Sequence, residues 1–150
     1  MLAHALAAPI GTGGYRCEAC GILAMDPSGG LARFYPTRNI GACPTLRDNY
    51  DQTAPHEHSD ACASPTRYVV DPQDQVRVTN ELRRLDWEIG GIFHSHTHTQ
   101  AYPSSTDVSL AANWPEAYYL IASLMADEPV LRAFRIVNGQ VTEEDISIKG

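Results

Sequence analysis

The segment that most constrains this chain is Tyr118-Tyr119-Leu120-Ile121-Ala122-Ser123-Leu124, an almost unbroken apolar run. It reads as a central strand covered on both faces, because a strand with one wet face would alternate. The neighbouring segments supply the covering layers. After a short strand at Tyr68-Val69-Val70, Asp71 is a good helix N-cap with Pro72 at the first helical position. Val78, Leu82 and Leu85 then keep the i, i+4, i+7 spacing of one buried helix face. Residues 88–96 read as a strand, and a short helix starts near Ser104 and ends before Pro115. Residues 130–137 and 141–148 read as strands joined through Asn138-Gly139, a tight hairpin signal. Upstream, residues 2–8 can form a short helix, cut off by Pro9 and the glycines that follow. Two further strands, 21–25 and 31–40, flank the turn Asp26-Pro27-Ser28-Gly29-Gly30. Strands and helices alternate and end in a hairpin, which predicts an α/β fold with a mixed sheet.

At 150 residues the chain suits a single domain, 1–150, with a real core. Its net charge of −7 and the absence of a Lys/Arg-rich run argue against a nucleic-acid backbone as partner. No apolar stretch is long enough for a helical membrane span. The first eight residues carry no basic residue ahead of their apolar part, so they make a poor signal peptide, and a cytoplasmic location is expected. Residues 41–65 differ from the rest: polar, aperiodic, with two His, two Cys and three Pro. They read as a long loop insertion of the functional or disordered kind. Cys17 and Cys20 form a C-x-x-C that alone fits redox chemistry or half a zinc site. Cys43, His56, His58 and Cys62 lie downstream, but the spacing matches no common structural zinc site.

The chemistry concentrates in Gly91-Ile92-Phe93-His94-Ser95-His96 and, seven residues later, Ser104-Ser105-Thr106-Asp107. On a strand, His94 and His96 point to one face and can share a cation, while Ser95 points to the other and supports the local backbone. Asp107 returns a carboxylate from the start of a helix. Two His and one carboxylate with an open fourth position form a catalytic zinc pattern. Other readings compete. His98 continues the alternation, so the pair could be His96 and His98. Ser104-x-x-Asp107 also matches a helix capping pattern. Gly90-Gly91 is read either as room for close packing or as a strand irregularity.

His94-Ser95-His96, seven residues, Ser104, two residues, Asp107 resembles the signature of JAMM/MPN+ metalloproteases. The surrounding stretches, Ala101-Tyr102-Pro103-Ser104, Thr106-Asp107-Val108, Arg135-Ile136-Val137 and Val141-Thr142-Glu143-Glu144, are similar to the bacterial members that release cysteine from a ubiquitin-like sulfur-carrier protein. The resemblance covers most of residues 15–40 and 66–148. Glu18-Ala19-Cys20-Gly21-Ile22-Leu23 looks like the upstream element from which that family takes a glutamate. Arg16 and Cys17 depart from the family's usual residues there, and the 41–65 loop is longer.

The resemblance implies a mixed sheet packed between helices, of cytidine-deaminase-like type. It implies Zn2+ on His94, His96 and Asp107, with Glu18 as general base and acid and Cys20 as a packing residue. Ser104 would donate a hydrogen bond to the oxyanion of the reaction. The implied partner is a small ubiquitin-like or sulfur-carrier protein with a Gly-Gly tail; separately, the length and polarity of the 41–65 loop read as a flap over that tail. Rival expectations are a general JAMM peptidase or deubiquitinase-like enzyme, a non-catalytic scaffold of the same fold, and a redox or metal module built on the cysteines.

Overall fold

The computed structural model describes residues 1–10, 14, 16–42 and 64–149. Six strands are present: β1 Cys20–Met25, β2 Leu31–Thr37, β3 Glu88–His96, β4 Tyr118–Ser123, β5 Val130–Val137 and β6 Gln140–Glu144. They form one sheet in the order β2-β1-β3-β4-β5-β6. Only β3 and β4 run parallel, and the other neighbours are antiparallel. The expected mixed sheet is therefore present, with its parallel pair at the centre and β4 buried from Tyr119 to Ser123.

Side-chain alternation divides the core in two. Cys20, Ile22, Ile92, Tyr119, Ile121 and Phe134 face one side, where they meet Val78 and Leu82 of α2, Pro72–Leu85. Val108 of α3, Ser105–Leu110, packs on the same side, and a 3-10 turn, Ala111–Asn113, continues that helix. Leu23, Phe93, Leu120, Ala122 and Ala133 face the other side, against Ala5 of α1, Leu2–Leu6. The sheet thus lies between helices. Each large side chain fully enclosed here, such as Phe93, Tyr119 or Phe134, contributes roughly 1.5–3 kcal/mol. That burial holds β3 and β4 rigid beneath the residues at their ends.

Local chemistry sets the boundaries. The Asp71 carboxylate accepts from the Gln73 amide at 2.9 Å, so the expected cap is made. Asn138 and Gly139 both have positive φ, 51° and 77°, as a two-residue type I′ hairpin turn requires. At Gly90 both readings hold. The β1–β3 register slips between Leu23 and Ala24, and a Cβ on Gly90 would fall 2.5 Å from Met25 Cβ. A bulge there needs a residue without a side chain.

Four expectations require correction. Leu85 is 39% exposed, because it ends α2 just before the left-handed cap residue Asp86 and turns away from the sheet. β2 stops at Thr37 rather than at residue 40. Residues 38–40 leave β1 and pair instead with 69–71: the Ile40 amide donates to the Val69 carbonyl and the Asp71 amide to the Arg38 carbonyl. Tyr68-Val69-Val70 is therefore a bridge to Asn39 and no strand of the sheet. β6 ends at Glu144, and Ile148 beyond it is 93% exposed, so no apolar contact extends the pairing to residue 148. No helix among the described residues is long and apolar enough to cross a membrane.

Candidate functional site

β3 delivers His94 and His96 from its final turn of alternation, at the carboxyl end of the parallel pair. The strand ends at His96, so the alternation does not carry to His98, which lies past the strand with its ring against the Thr97 hydroxyl. Asp107 enters from the first turn of α3. The two imidazole Nε2 atoms are 3.0 Å apart, and each lies 3.2 Å from Asp107 Oδ2. Four-coordinate ligand atoms about 2.0–2.1 Å from one ion sit roughly 3.3 Å from each other, so this triangle has the size of a metal's ligand face. All three residues are buried.

The protonation pattern supports the same fit. The carbonyl of Gln100 lies 2.9 Å from His96 Nδ1 and accepts a hydrogen bond from it, so that Nε2 turns its lone pair to the centre when the ring is neutral. Burial pushes the Asp107 carboxyl up, but hydrogen bonds from His94 and His96 outweigh it, so the group is held well below the usual carboxylate range. Desolvation lowers His94 and favours its neutral, ligating form. For His96 desolvation also acts downward, yet Asp107 and the Gln100 carbonyl raise it overall. Two imidazole nitrogens and a carboxylate oxygen therefore converge without a counter-cation among the described residues, and a divalent ion would satisfy all three.

Asp107 is aimed by a capping box. The Ser104 amide donates to Asp107 Oδ2 at 2.7 Å, and the Asp107 amide donates to Ser104 Oγ at 3.1 Å. The capping and metal readings of Ser104-x-x-Asp107 thus coexist. Ser104 spends only an acceptor site on the cap, so its hydroxyl proton remains to donate.

Glu18 lies two residues before β1, with 8% exposure, and lines one cavity with His96, Ser104 and Asp107. That cavity holds about 180 Å³. Burial pushes the Glu18 carboxyl up to about 8, with His96 pulling it down and Asp107 pushing it up. Its backbone is fixed from three directions. The Glu18 amide donates to the Ser64 carbonyl at 2.7 Å, and Asn39 Nδ2 donates to the Glu18 carbonyl at 2.9 Å. Next to it, the Ala19 amide donates to Ser95 Oγ at 2.8 Å and the Ser95 amide to the Ala19 carbonyl at 3.0 Å. Ser95 supports the backbone as expected, and the backbone it supports is the one carrying Glu18.

Asn39 is the residue that sequence reading missed. Buried at 8% exposure, it donates to the carbonyls of Glu18, Ser64 and Arg67 and accepts from the amides of Gly41 and Val69. It ties the Glu18 segment to the cavity wall at 64–69. The one available signal was a polar residue closing an otherwise strand-like run, which as a bare pattern is indistinguishable from a loop.

Cys20 is fully buried, its thiol pushed up to about 12 by desolvation against a hydrogen bond from Thr37. It packs beneath the site, opposite His94 in the β1–β3 register. Cys17 and Cys20 are not joined as a disulfide, and among the described residues only His94, His96 and Asp107 form a metal-sized cluster. Cys43, His56, His58, Cys62 and the flap expected of residues 41–65 fall almost wholly outside the described residues.

Residues 1–137 match the family of prokaryotic homologs of the JAB domain. The CysO-cysteine peptidase of Mycobacterium tuberculosis is 39% identical over 111 residues, which span 71% of this chain and 75% of that protein. The desampylase of Haloferax volcanii is 30% identical over 107 residues, 71% of this chain and 62% of that protein. The solution structure of a Desulfitobacterium hafniense protein superposes with a TM-score of 0.71 at 34% identity, covering 99% of this chain and 86% of the other.

Proposed function

Because this chain belongs to the prokaryotic JAB family, whose named relatives are peptidases and desampylases, and is itself a hydrolase of that kind, we propose that it is a zinc metallopeptidase. In this reading it hydrolyses the bond after the C-terminal tail of a small ubiquitin-like sulfur-carrier protein and releases cysteine. The observation that carries the proposal is the convergence of His94, His96 and Asp107 beside a cavity lined by His96, Asp107 and Glu18.

His94, His96 and Asp107 would hold the metal, and a nitrogen-rich set with one carboxylate suits zinc. Zinc there would supply Lewis acidity, lowering the pKa of water and polarising the scissile carbonyl. Glu18 accepts the proton of the attacking water as its oxygen bonds to the carbonyl carbon. The same carboxyl then returns that proton to the departing nitrogen as the C–N bond breaks. Ser104 donates its hydroxyl proton as a hydrogen bond to the developing oxyanion. The products are a tail carboxylate and a free amine.

A Gly-Gly tail suits a narrow cavity because it brings no side chains to clash. A second reading, cleavage of an isopeptide-linked ubiquitin-like modifier, is favoured by the likeness to the Haloferax volcanii desampylase. Intact-mass spectrometry tests the proposal with a folded carrier ending in Gly-Gly-Cys and a free peptide of the same tail. We expect loss of cysteine from the carrier and much slower cleavage of the peptide, since the carrier body supplies binding energy. Equal rates on both would indicate a general peptidase.

A further inference from the structure

One wall of the cavity has no role in the chemistry above: residues 65–68, which line it beside Glu18, His96, Ser104 and Asp107. This wall is held firmly. The Ser64 and Arg67 carbonyls accept from Asn39 Nδ2 at 3.4 and 3.0 Å, and the Val69 amide donates to Asn39 Oδ1 at 3.0 Å. The Tyr68 ring stacks on His94 with centroids 4.2 Å apart. Between these anchors stands Arg67, exposed and part of the cavity lining.

Among the described residues lining the cavity, Arg67 alone carries a permanent positive charge, in a chain of net charge −7. None of the ion pairs among the described residues involves it. A guanidinium beside a dication is repelled unless an anion lies between them. Thr66 and Thr106 line the same space, and their hydroxyls can complete an anion's hydrogen bonds. An arginine fork matches a carboxylate in two parallel bonds.

We infer that Arg67 receives the free α-carboxylate of the residue that leaves, which makes the site one for removal of a single C-terminal residue. This rests on the peptidase reading above and sharpens it. In a tail that ends in one extra amino acid, the α-carboxylate sits on the carbon attached to the scissile nitrogen. In an isopeptide that nitrogen ends a lysine side chain, four methylenes from the backbone, and no carboxylate is near. Arg67 therefore selects between the two substrate classes that the relatives' names present.

The test uses zinc-loaded wild type and Arg67→Gln with one folded carrier ending in Gly-Gly-Cys, made as the free acid and as the C-terminal carboxamide. The wild type should cleave the free acid about tenfold faster in kcat/KM, the range of one charge-assisted pair. Arg67→Gln should cleave both at the rate of the amide, and Arg67→Lys should fall between. Calorimetric titration of chelator-treated wild type should show the same preference for the free acid in binding. Equal wild-type rates on acid and amide would overturn the assignment while leaving the peptidase reading intact. Equal slowing of both substrates in Arg67→Gln would also overturn it and give Arg67 to the carrier body. If neither carrier is cleaved, the peptidase reading itself fails and this assignment falls with it.

Discussion

Ser104 and Asp107 hold each other, each backbone amide donating to the other's side-chain oxygen, at 2.7 Å to Asp107 Oδ2 and 3.1 Å to Ser104 Oγ. The cap is also the device that aims Oδ2 between the two imidazoles, because the oxygen fixed by the Ser104 amide is the one 3.2 Å from both Nε2 atoms. A helix of six residues has little stability of its own, so the cap decides where the ligand sits.

Ser104→Ala should therefore show two separable losses. Removing the cap acceptor costs about 1 kcal/mol of stability, visible as a lower Tm. Removing the oxyanion donor should lower kcat by a factor on the order of 10², with zinc content unchanged. Near-normal turnover in a zinc-loaded variant would confine Ser104 to capping.

Asn39→Asp tests whether the hidden amide positions Glu18. The carboxylate keeps an acceptor for the Gly41 and Val69 amides, but it sets a second oxygen against the carbonyls of Glu18, Ser64 and Arg67. A loss of about 2 kcal/mol or more is expected from the unmet carbonyl acceptors and the buried charge. The kcat should fall while zinc stays bound, since the ligands belong to β3 and α3. Chemical denaturation and steady-state kinetics measure both, and unchanged kcat would free Glu18 from any dependence on Asn39.

Most of the fold was legible because the apolar run of β4, the Asp71-Pro72 start and the Asn138-Gly139 turn are local signals that the tertiary structure respects. The metal triad was legible because His94 and His96 lie on one strand and Asp107 on the next helix, so their spacing survives in the linear sequence. What stayed hidden was non-local. Asn39 meets five backbone groups spread from Glu18 to Val69, and no periodicity records such a hub. The competition between His94 and His98 likewise turned on where β3 ends, which the sequence alone left open.

The buried Glu18 predicts a pH dependence in the metal-free protein. Its carboxyl is pushed from 4.5 up to about 8 by burial. Between those values the unfolded chain has released the proton that the folded chain keeps, so stability falls as pH rises across that window. The slope should be at most about 1.4 kcal/mol per pH unit. Urea midpoints of chelator-treated protein from pH 5 to about 8 should show this decline in the wild type and a flatter profile in Glu18→Gln. The same Glu18→Gln protein, loaded with zinc, should turn over at least about 10²-fold more slowly. Parallel pH profiles would mean that Glu18 does not hold its proton in the folded state.

The central claim, one catalytic zinc on His94, His96 and Asp107, is tested most directly by elemental analysis of purified protein. The wild type should carry one zinc per chain. His94→Ala, His96→Ala and Asp107→Ala should each lose it, while His98→Ala keeps it. If His98→Ala empties the site while His94→Ala retains the metal, the ligand set is wrong; two zinc ions per wild-type chain would instead place a second site among the cysteines and the remaining histidines.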